Sequence, residues 1–387
     1  MTLNLDRSKW RRVAFGDVIE SVTDRVDDPS QAGVDRYVGL EHLDPGIMTV
    51  QRWDSPDKVE AQKLRFQPGD VIFGRRRAYQ KKVALAEFEG ICSAHALVLR
   101  ARPLQILPAF LPVFLSSDYF LDRAIGISVG SLSPTVNWRD LRVQEFDLPP
   151  VDEQKRIADL LWAVERHRQS VAVLAAAINQ VADEVFAQAL GATSAQTASL
   201  PDLVDEMTVG VVVKPTQYYT DSPAGVPALR GLNVRPGGFD LGDLVRFKPE
   251  SAADLAKSTL GLGDVVIVRT GRPGDAAVVT DETAGFNCID LIIARPGSRL
   301  LPEFFSMFLD SSYGRDQIAR LSAGTAQQHF NVGALKKLVI AELLVEEQRQ
   351  LIELVESIRA AARLSSDDRE RLGVLRSSLL ADVFGGT

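Results

Sequence analysis

The sequence predicts a mixed α+β fold organised as an internal two-fold repeat, in which each copy ends in a long helix. Three observations support this prediction: the two halves align after one shift, short strand patterns fill the first part of each half, and a heptad pattern follows each strand region. The 387 residues suffice for two domains of ordinary size plus their helices.

Identical residues at a constant spacing carry the repeat. A shift of 194 residues places Pro108 on Pro302 and Phe114 on Phe308. Further identical pairs are Phe110/Phe304, Leu115/Leu309, Ser117/Ser311, Tyr119/Tyr313, Asn137/Asn331, Leu141/Leu335 and Gln154/Gln348. A period of this length indicates two copies of a whole domain, because solenoid units are much shorter.

Short Val- and Ile-rich runs bounded by Gly or Pro predict strands in each copy. The runs lie at 70–73, 96–99, 264–268 and 291–293. Helix-like stretches at 109–121 and 303–309 follow them, and a loop of small residues comes next in both copies.

Each copy then ends in a segment that predicts a long helix. Residues 151–190 contain no Gly or Pro, and a single helix of that length spans about 60 Å. Its predicted apolar seam is Ile157, Leu160, Val164, His167, Val171, Leu174, Ile178, Val181 and Val185. We expect His167 to set the register of the seam rather than to bind a metal.

The second copy repeats this seam less regularly. Its positions are Leu351, Leu354, Val355, Ile358, Leu372, Leu375, Leu379 and Val383, and the polar stretch 365–370 predicts either a looser seam or a bend. Two such helices can pack together and hold the two domains at a fixed distance. The alternative is that each helix is buried on the core of a domain.

These observations predict four regions with simple boundaries. A first domain covers 1–150, and the first long helix covers 151–191. A second domain covers 192–344, and the second long helix covers 345–387.

Composition excludes several classes of protein. Apolar residues make up 45% and charged residues 25%, which is typical of a globular protein. We expect neither a signal peptide nor a membrane-spanning segment, and the two distant cysteines favour the cytoplasm over an oxidising compartment. The net charge of −7 argues mildly against nucleic acid as a partner, although a domain of this kind can still present one basic face.

The motifs of common enzymes are missing. The sequence has no phosphate-binding P-loop, no zinc-protease helix motif and no nucleophile elbow. Its four histidines, His42, His95, His167 and His329, are scattered, so a metal site is not predicted. His95 reads as a packed or hydrogen-bonded residue at the start of a strand rather than as a catalytic base.

A basic turn follows the apolar strand at 71–73 and is the first candidate nucleic-acid contact. Its candidate residues are Arg75, Arg76, Arg77, Tyr79, Lys81 and Lys82, and the matching turn of the second copy offers Arg269, Thr270 and Arg272. Arg can grip the guanine edge or phosphate with a planar fork, and Lys suits phosphate. The alternative is a solvated run of charge.

A polar loop opened by glycine is the second candidate contact. Its candidate residues are Ser131, Ser133 and Thr135 in the first copy, and Thr325, Gln327, Gln328 and His329 in the second. Hydroxyl and amide groups can bind bases or phosphates, but they can equally cap the segment that follows. Asn137 and Asn331 match each other, which favours a structural role for that pair.

The duplicated layout resembles the specificity subunit of type I restriction-modification systems. The residues that carry the resemblance are the stretch 148–154, which reads Leu-Pro-Pro-Val-Asp-Glu-Gln before the long helix, and the run 68–79 around the basic turn. The resemblance covers nearly the whole chain. The second copy departs from the pattern, because Leu343-Leu344 stands where the first copy has Pro149-Pro150.

The resemblance implies a function as well as a fold. Each globular domain would be a target-recognition domain that reads one half of a split site in double-stranded DNA, and the two long helices would pack as an antiparallel coiled coil that sets the spacer. The chain itself would be non-catalytic and would hold no cofactor. Two methylation subunits would use S-adenosylmethionine to methylate adenine, and a restriction subunit using ATP and Mg can join them.

Two other functions stay open at this point. One is a coiled-coil adaptor without a DNA role, which predicts that changing Arg75, Arg76 and Arg77 to Ala leaves the activity of its partners intact. The other is a self-contained DNA methyltransferase or nuclease, which predicts activity of the purified chain alone.

Overall fold

The computed structural model describes residues 5–102, 104–192, 197–251, 253–322 and 329–385. Within these ranges the chain divides into two compact units. Unit 1 runs up to Val173 and resumes at Ser365, and unit 2 is Leu174–Leu364. Each unit therefore contains one globular region and a segment from each of the two long helices.

Unit 1 contains ten strands and four short helices before the first long helix. The strands are β1 Arg11–Ala14, β2 Ile19–Val22, β3 Arg25–Val26, β4 Tyr37–Val38, β5 Lys63–Phe66, β6 Val71–Phe73, β7 Val83–Leu85, β8 Gly90–Ser93, β9 Leu97–Ala101 and β10 Glu145–Leu148. The helices are α1 Phe15–Val18, α2 Leu111–Leu115, α3 Asp118–Gly126 and α4 Trp138–Leu141, followed by α5 Val151–Ala192.

Two four-stranded sheets form the body of unit 1. The first is antiparallel with the order β2-β9-β6-β7, and the second has the order β3-β5-β8-β4 with β4 parallel to β8. Strand β6 is buried on both faces, since Val71 and Phe73 pack toward the helices and Ile72 packs toward the second sheet. Burial on both faces explains why the strand is a continuous apolar run.

Unit 2 follows the same plan. Its strands are β11 Thr197–Ser199, β12 Val204–Val209, β13 Val226–Leu229, β14 Val234–Arg235, β15 Gly238–Phe239, β16 Val245–Phe247, β17 Val265–Val268, β18 Ala276–Val278, β19 Asn287–Cys288, β20 Leu291–Pro296 and β21 Val339–Ala341. Its helices are α6 Pro302–Asp310, α7 Ser312–Ser322, α8 Val332–Leu335 and the start of α9 Val345–Phe384.

The main sheet of unit 2 has the order β12-β20-β17-β18, which matches β2-β9-β6-β7 of unit 1 strand for strand. A smaller sheet, β16-β13-β19, again contains one parallel pair, and β14 pairs with β15. The terminal pairs also correspond, because β1 pairs with β10 and β11 pairs with β21.

A glutamine in the first turn of each long helix clamps the segment before it. Gln154 accepts a hydrogen bond from the Leu107 amide at 2.9 Å and donates to the Pro149 carbonyl at 2.9 Å. Gln348 accepts from the Leu301 amide at 2.9 Å and donates to the Leu343 carbonyl at 2.9 Å. The shared Glu-Gln signature therefore fixes the entry of each helix against its own globular region.

The replacement of Pro150 by Leu344 in the second copy has a local compensation. Leucine has an amide that proline lacks, and the Leu344 amide donates to the Glu347 carboxylate at 2.8 Å. In the first copy the matching Glu153 instead accepts from the Trp10 indole at 2.9 Å. The substitution changes the partner of the glutamate and leaves the helix start intact.

The long helices exist as predicted, but the predicted seam of α5 is wrong in its second half. His167, Leu174 and Val181 are exposed, whereas Ala175, Ala182 and Phe186 are buried. The apolar pattern favoured large side chains, while the face of α5 that packs inward is lined there by alanine. Small residues allow close packing and carry little hydropathy signal.

Each unit buries a segment of both long helices in its core. In unit 1, Ile157 and Leu161 of α5 share a cluster with Leu379 and Val383 of α9. In unit 2, Phe186 of α5 shares a cluster with the start of α9, including Leu351 and Val355. Helix α9 continues through the polar stretch 365–370 without a break.

One described helix passes the length and composition test for a membrane span, although no spanning segment was expected from the sequence. The segment 151–191 contains an 18-residue window with a mean hydropathy of 1.3, of which 17% is buried. A single helix of this kind is weak evidence, because helices of soluble proteins pass the same test.

Candidate DNA interface

The basic turn of unit 1 connects β6 to β7. The Gly74 amide donates to the Lys82 carbonyl at 2.9 Å and closes its base. Arg77 and Lys81 both adopt the left-handed backbone conformation, with φ of 55° and 52°. They flank a single 3-10 turn at Ala78–Gln80 whose Ala78 side chain is buried. The backbone of the turn therefore has a defined shape.

The two candidate loops of unit 1 meet at this turn. The Val136 amide donates to the Arg75 carbonyl at 2.9 Å, and the Arg77 amide donates to the Pro134 carbonyl at 2.6 Å. The Arg77 guanidinium lies 3.4 Å from the Ser133 hydroxyl. We call this assembly of residues 74–82 and 133–136 tip 1.

A turn before β9 supplies a further residue to tip 1. The Arg76 guanidinium donates to Nε2 of His95 at 3.3 Å, and the Arg76 amide donates to the His95 carbonyl at 3.3 Å. Partial burial, and then the nearby charges of Arg76 and Arg75, lower the pKa of His95 below its ordinary value. Both effects favour the neutral form of the imidazole.

The two lysines of tip 1 are already bound within the protein. Lys81 lies 2.5 Å from Asp118 and 3.6 Å from Asp122, and the bond to Asp118 raises the pKa of Lys81. Lys82 donates to the Leu40 carbonyl at 2.6 Å. These contacts hold the turn against α3 and the loop after β4, so the lysines have a structural role whether or not they contact a ligand.

Unit 2 forms an equivalent tip between β17 and β18. The Phe330 amide donates to the Arg269 carbonyl at 2.9 Å, which repeats the bond between Val136 and Arg75. The Arg269 guanidinium contacts Asp290 and lies 2.6 Å from Nε2 of His329. Nδ1 of His329 is 2.9 Å from the Thr270 hydroxyl. We call residues 269–275 and 329–330 tip 2.

Arg272 extends tip 2 toward the turn after β13. Its guanidinium donates to the carbonyls of Gly231 and Val234 at 3.1 and 2.8 Å and pairs with Asp275 at 2.8 Å. A cleft opens beside it, lined by Gly231, Leu232, Arg235, Thr270, Gly271 and Arg272.

Comparison with known proteins identifies the family. The family described as "Type I restriction modification DNA specificity domain" matches residues 8–179. The EcoKI specificity subunit of Escherichia coli K12 is 25% identical over 371 residues, which cover 86% of this chain and 77% of that protein. The EcoDI specificity subunit of Escherichia coli is 29% identical over 154 residues, which cover 38% of this chain and 34% of that protein. The chain is similar to type I restriction-modification specificity subunits over most of its length.

Two solved structures share the fold of this chain. A chain from a study of complex assembly and conformational transition of the type I R-M system has a TM-score of 0.57 at 22% identity, with 97% of both chains covered. The type I S subunit from M. genitalium has a TM-score of 0.52 at 16% identity, with 99% of both chains covered.

The structure brings together most of the residues predicted as candidate contacts. Arg75, Arg76, Arg77, Ser133 and Thr135 meet in tip 1, and Arg269, Thr270, Arg272 and His329 meet in tip 2. Tyr79 is exposed within tip 1, and Ser131 is exposed beside it. Thr325, Gln327 and Gln328 lie outside the described residues.

Sequence reasoning missed three residues that contact the tips. His95 and Asp290 occupy the matching turns before β9 and β20, and each contacts an arginine of its own tip. Arg235 lines the cleft beside tip 2. His95 and Asp290 differ in residue type, so an alignment of the two copies by identical residues does not pair them. An alignment by strand pairing would have paired them.

The asparagine pair has the structural role that was expected. Asn331 accepts a hydrogen bond from the Ala334 amide at 2.9 Å and caps α8. Asn137 precedes α4 at the matching place and contacts Asp140 at 3.3 Å.

A specificity subunit is non-catalytic, and catalysis is carried by partner subunits. Among the described residues there is no group of three or more His, Cys, Asp or Glu side chains that could hold a metal ion. Both cysteines are buried, and burial raises the pKa of Cys288 to about 12, so its thiol stays protonated at neutral pH.

Proposed function

We propose that tip 1 and tip 2 each read one half of a bipartite site in double-stranded DNA. The observation that carries this proposal is that the same loops join in the same way in both units, while their side chains differ. Val136 bonds to Arg75 and Phe330 bonds to Arg269, yet tip 1 presents a run of arginines and tip 2 presents Thr270 and Arg272. One scaffold with two sets of tip residues suits the recognition of two different half-sites.

Two matching arginines support a ligand-binding role for the tips. Arg75 and Arg269 each have a buried Nε atom without a hydrogen-bond partner among the described residues. An unpaired buried donor costs on the order of 1–3 kcal/mol, and such costs are typical of functional sites. The candidate DNA contacts are Arg75, Arg76, Arg77, Tyr79, Lys81, Lys82, Ser131, Ser133, Thr135, Arg269, Thr270, Arg272, Thr325, Gln327, Gln328 and His329, and the bonds of Lys81 and Lys82 to the protein rank those two behind the arginines.

We propose that the two long helices pack as an antiparallel coiled coil, set the spacer and dock two methylation subunits. Exposed apolar side chains on α5 and α9 support a docking role, and they include Leu174, Val181, Leu354 and Leu364. The methylation subunits would use S-adenosylmethionine to methylate adenine in the cytoplasm. This chain would hold no cofactor, and a restriction subunit using ATP and Mg can join the complex.

The direct test is a genome-wide map of adenine methylation by single-molecule sequencing, with the gene present and deleted. We expect one split motif to disappear on deletion, which would also give both half-sites. An unchanged methylome in cells that make the complex would contradict the proposal and favour an adaptor role.

A variant with Arg75, Arg76 and Arg77 all changed to Ala tests the role of tip 1. We expect weaker DNA binding with a shallower salt slope, or relaxed choice at one half-site, in the complex with the methylation subunits. The matched control changes three exposed cations on other segments of unit 1, Lys9, Arg25 and Lys58, to Ala. Equal behaviour of the two triple variants would contradict a DNA role for the arginines, and methylation by the chain alone would revive the enzyme alternative.

A further inference from the structure

Three side chains at tip 2 form one continuous array of hydrogen bonds. Arg269 lies 2.6 Å from Nε2 of His329, and Nδ1 of the same ring lies 2.9 Å from the Thr270 hydroxyl. Asp290 contacts the Arg269 guanidinium on its other side. Only 12% of the Arg269 side chain is exposed, so the array starts from a fixed and largely buried cation.

The chemistry of these groups sets the direction of every hydrogen bond in the array. A guanidinium can only donate, so Nε2 of His329 must accept. A ring whose Nε2 accepts is neutral and carries its single proton on Nδ1, which therefore donates to the Thr270 oxygen. The hydroxyl proton of Thr270 is then left to point away from the ring.

Thr270 lines the cleft beside tip 2 together with two arginines. Arg235 and Arg272 lie on its walls, and the backbone of Gly231 and Gly271 forms its edges. The exposed fractions of the Arg235 and Arg272 side chains are 45% and 43%. Guanidinium groups only donate, and the Thr270 hydroxyl proton points away from the ring. Arg235, Arg272 and Thr270 therefore all offer hydrogen-bond donors to a ligand.

We propose that Thr270 acts as a hydrogen-bond donor to DNA and that the cleft takes a hydrogen-bond acceptor of the second half-site. The major-groove edge of guanine presents two acceptors, N7 and O6, and a phosphate oxygen offers the same chemistry. Arg269 and His329 are positioning residues, because they act through Thr270. The cleft would favour an acceptor over an edge that offers an amino group, such as that of cytosine, since Arg235, Arg272 and the Thr270 proton all donate. This inference rests on the proposed function.

The experiment uses the complex of the full chain with its methylation subunits, and the wild-type motif is mapped first. Thr270→Val removes the hydroxyl at nearly constant shape, and Thr270→Ser is the matched control that retains it. We expect Thr270→Val to reduce methylation of the target about three- to tenfold, which is the size of one hydrogen bond, and Thr270→Ser to remain near wild type.

Two arms distinguish the sources of the acceptor. If the acceptor belongs to a base, Thr270→Val relaxes sequence specificity at one base pair of the second half-site, and the salt dependence of binding is unchanged. If the acceptor is a phosphate oxygen, Thr270→Val weakens binding equally for all DNA sequences. A methylphosphonate at one position of the DNA then removes the difference in affinity between Thr270→Val and the wild type. Either result supports a donor role for Thr270.

His329→Phe tests the array itself, because it leaves Thr270 in place but removes the hydrogen bond that orients its hydroxyl proton. We expect this variant to tolerate an amino-bearing base at the position where wild type requires an acceptor, or, for a phosphate contact, to match Thr270→Val. Thermal unfolding shows whether His329→Phe folds. If it does not fold, the comparison of Thr270→Val with Thr270→Ser tests the inference without it. If Thr270→Val methylates the target as the wild type does, the inference is overturned. The proposed function is unaffected by that result, because the wild-type complex still methylates the mapped motif. A wild-type complex without any motif contradicts the proposed function instead.

Discussion

At the scale of the residue, tip 1 places large charged side chains where the backbone favours glycine. Arg77 has φ of 55°, and the matching position of tip 2 is Gly271 with φ of 85°. A residue with a Cβ atom is less stable in this conformation by about 1–2 kcal/mol. The arginine is retained in spite of that cost, which fits a residue selected for its side chain.

Arg77→Gly should therefore separate folding from DNA binding. We expect the free energy of unfolding to rise by up to about 1 kcal/mol, because glycine relieves the strain but loses more chain entropy on folding. DNA affinity of the complex should fall, because the guanidinium is gone. Chemical denaturation and a binding titration at fixed salt measure the two quantities.

Arg77→Ala is the matched control for this substitution. It removes the same guanidinium but retains a Cβ atom, so it should lose affinity without the gain in stability. A glycine variant that binds DNA as tightly as the wild type would show that Arg77 does not contact the ligand.

The sequence was sufficient to find the cations of the tips. It was not sufficient to show which of them are already bound to other residues of the protein. The basic turn and the polar loop were both recognisable, and the structure joins them through Arg75 and Val136. The partner of Lys81 is Asp118, which lies 37 residues away on α3. Contacts of that range depend on how the turn packs, and a local pattern carries no information about them.

At the scale of the element, the surface of α5 is explained by which of its faces packs inward. The heptad prediction assigned Leu174 and Val181 to the buried seam, but these residues are 53% and 49% exposed. Ala175 and Ala182 are buried instead. The existence and length of the helix were predictable from its periodicity, whereas its rotation was not, because alanine is ambiguous in a pattern of apolar residues.

The exposed face of α5 gives a test of partner docking. Leu174→Glu combined with Val181→Glu should leave thermal unfolding almost unchanged, because both side chains already face solvent. Binding of the methylation subunits should weaken more than tenfold, because burying each apolar side chain contributes about 1.5–3 kcal/mol and a buried unpaired carboxylate opposes docking. Co-purification and titration of the separate subunits measure the effect.

A pair of equally exposed residues away from the long helices serves as control. Leu104 and Val213 are 96% and 74% exposed, and changing both to Glu introduces the same charges elsewhere. Loss of docking in both double variants would indicate a general charge effect, and normal docking of the α5 variant would contradict the proposed surface.

At the scale of the whole molecule, duplication explains both what is constant and what varies. The order of the main sheet, the glutamine clamp of Gln154 and Gln348 and the terminal strand pair recur in both units. Apart from the matching Arg75 and Arg269, the residues of the tips do not recur. A fixed scaffold with variable tips lets one fold serve two half-sites, and this plan was predictable from the sequence because the scaffold residues are the ones that repeat.

The spacer should depend on the length of the long helices. A seven-residue block inserted within 157–185 of α5, with an equal block in α9, adds about 10 Å of helix and rotates the faces by only about 20°. At about 3.4 Å per base pair, the spacer of the methylated motif should lengthen by up to about three base pairs while both half-sites stay the same. A five-residue block is the matched control, since it rotates the following residues by about 140° and should abolish methylation instead of shifting it. Single-molecule methylation mapping reads both outcomes. A seven-residue variant that methylates new half-sites, or that retains the original spacer, would contradict the role of the helices as a ruler.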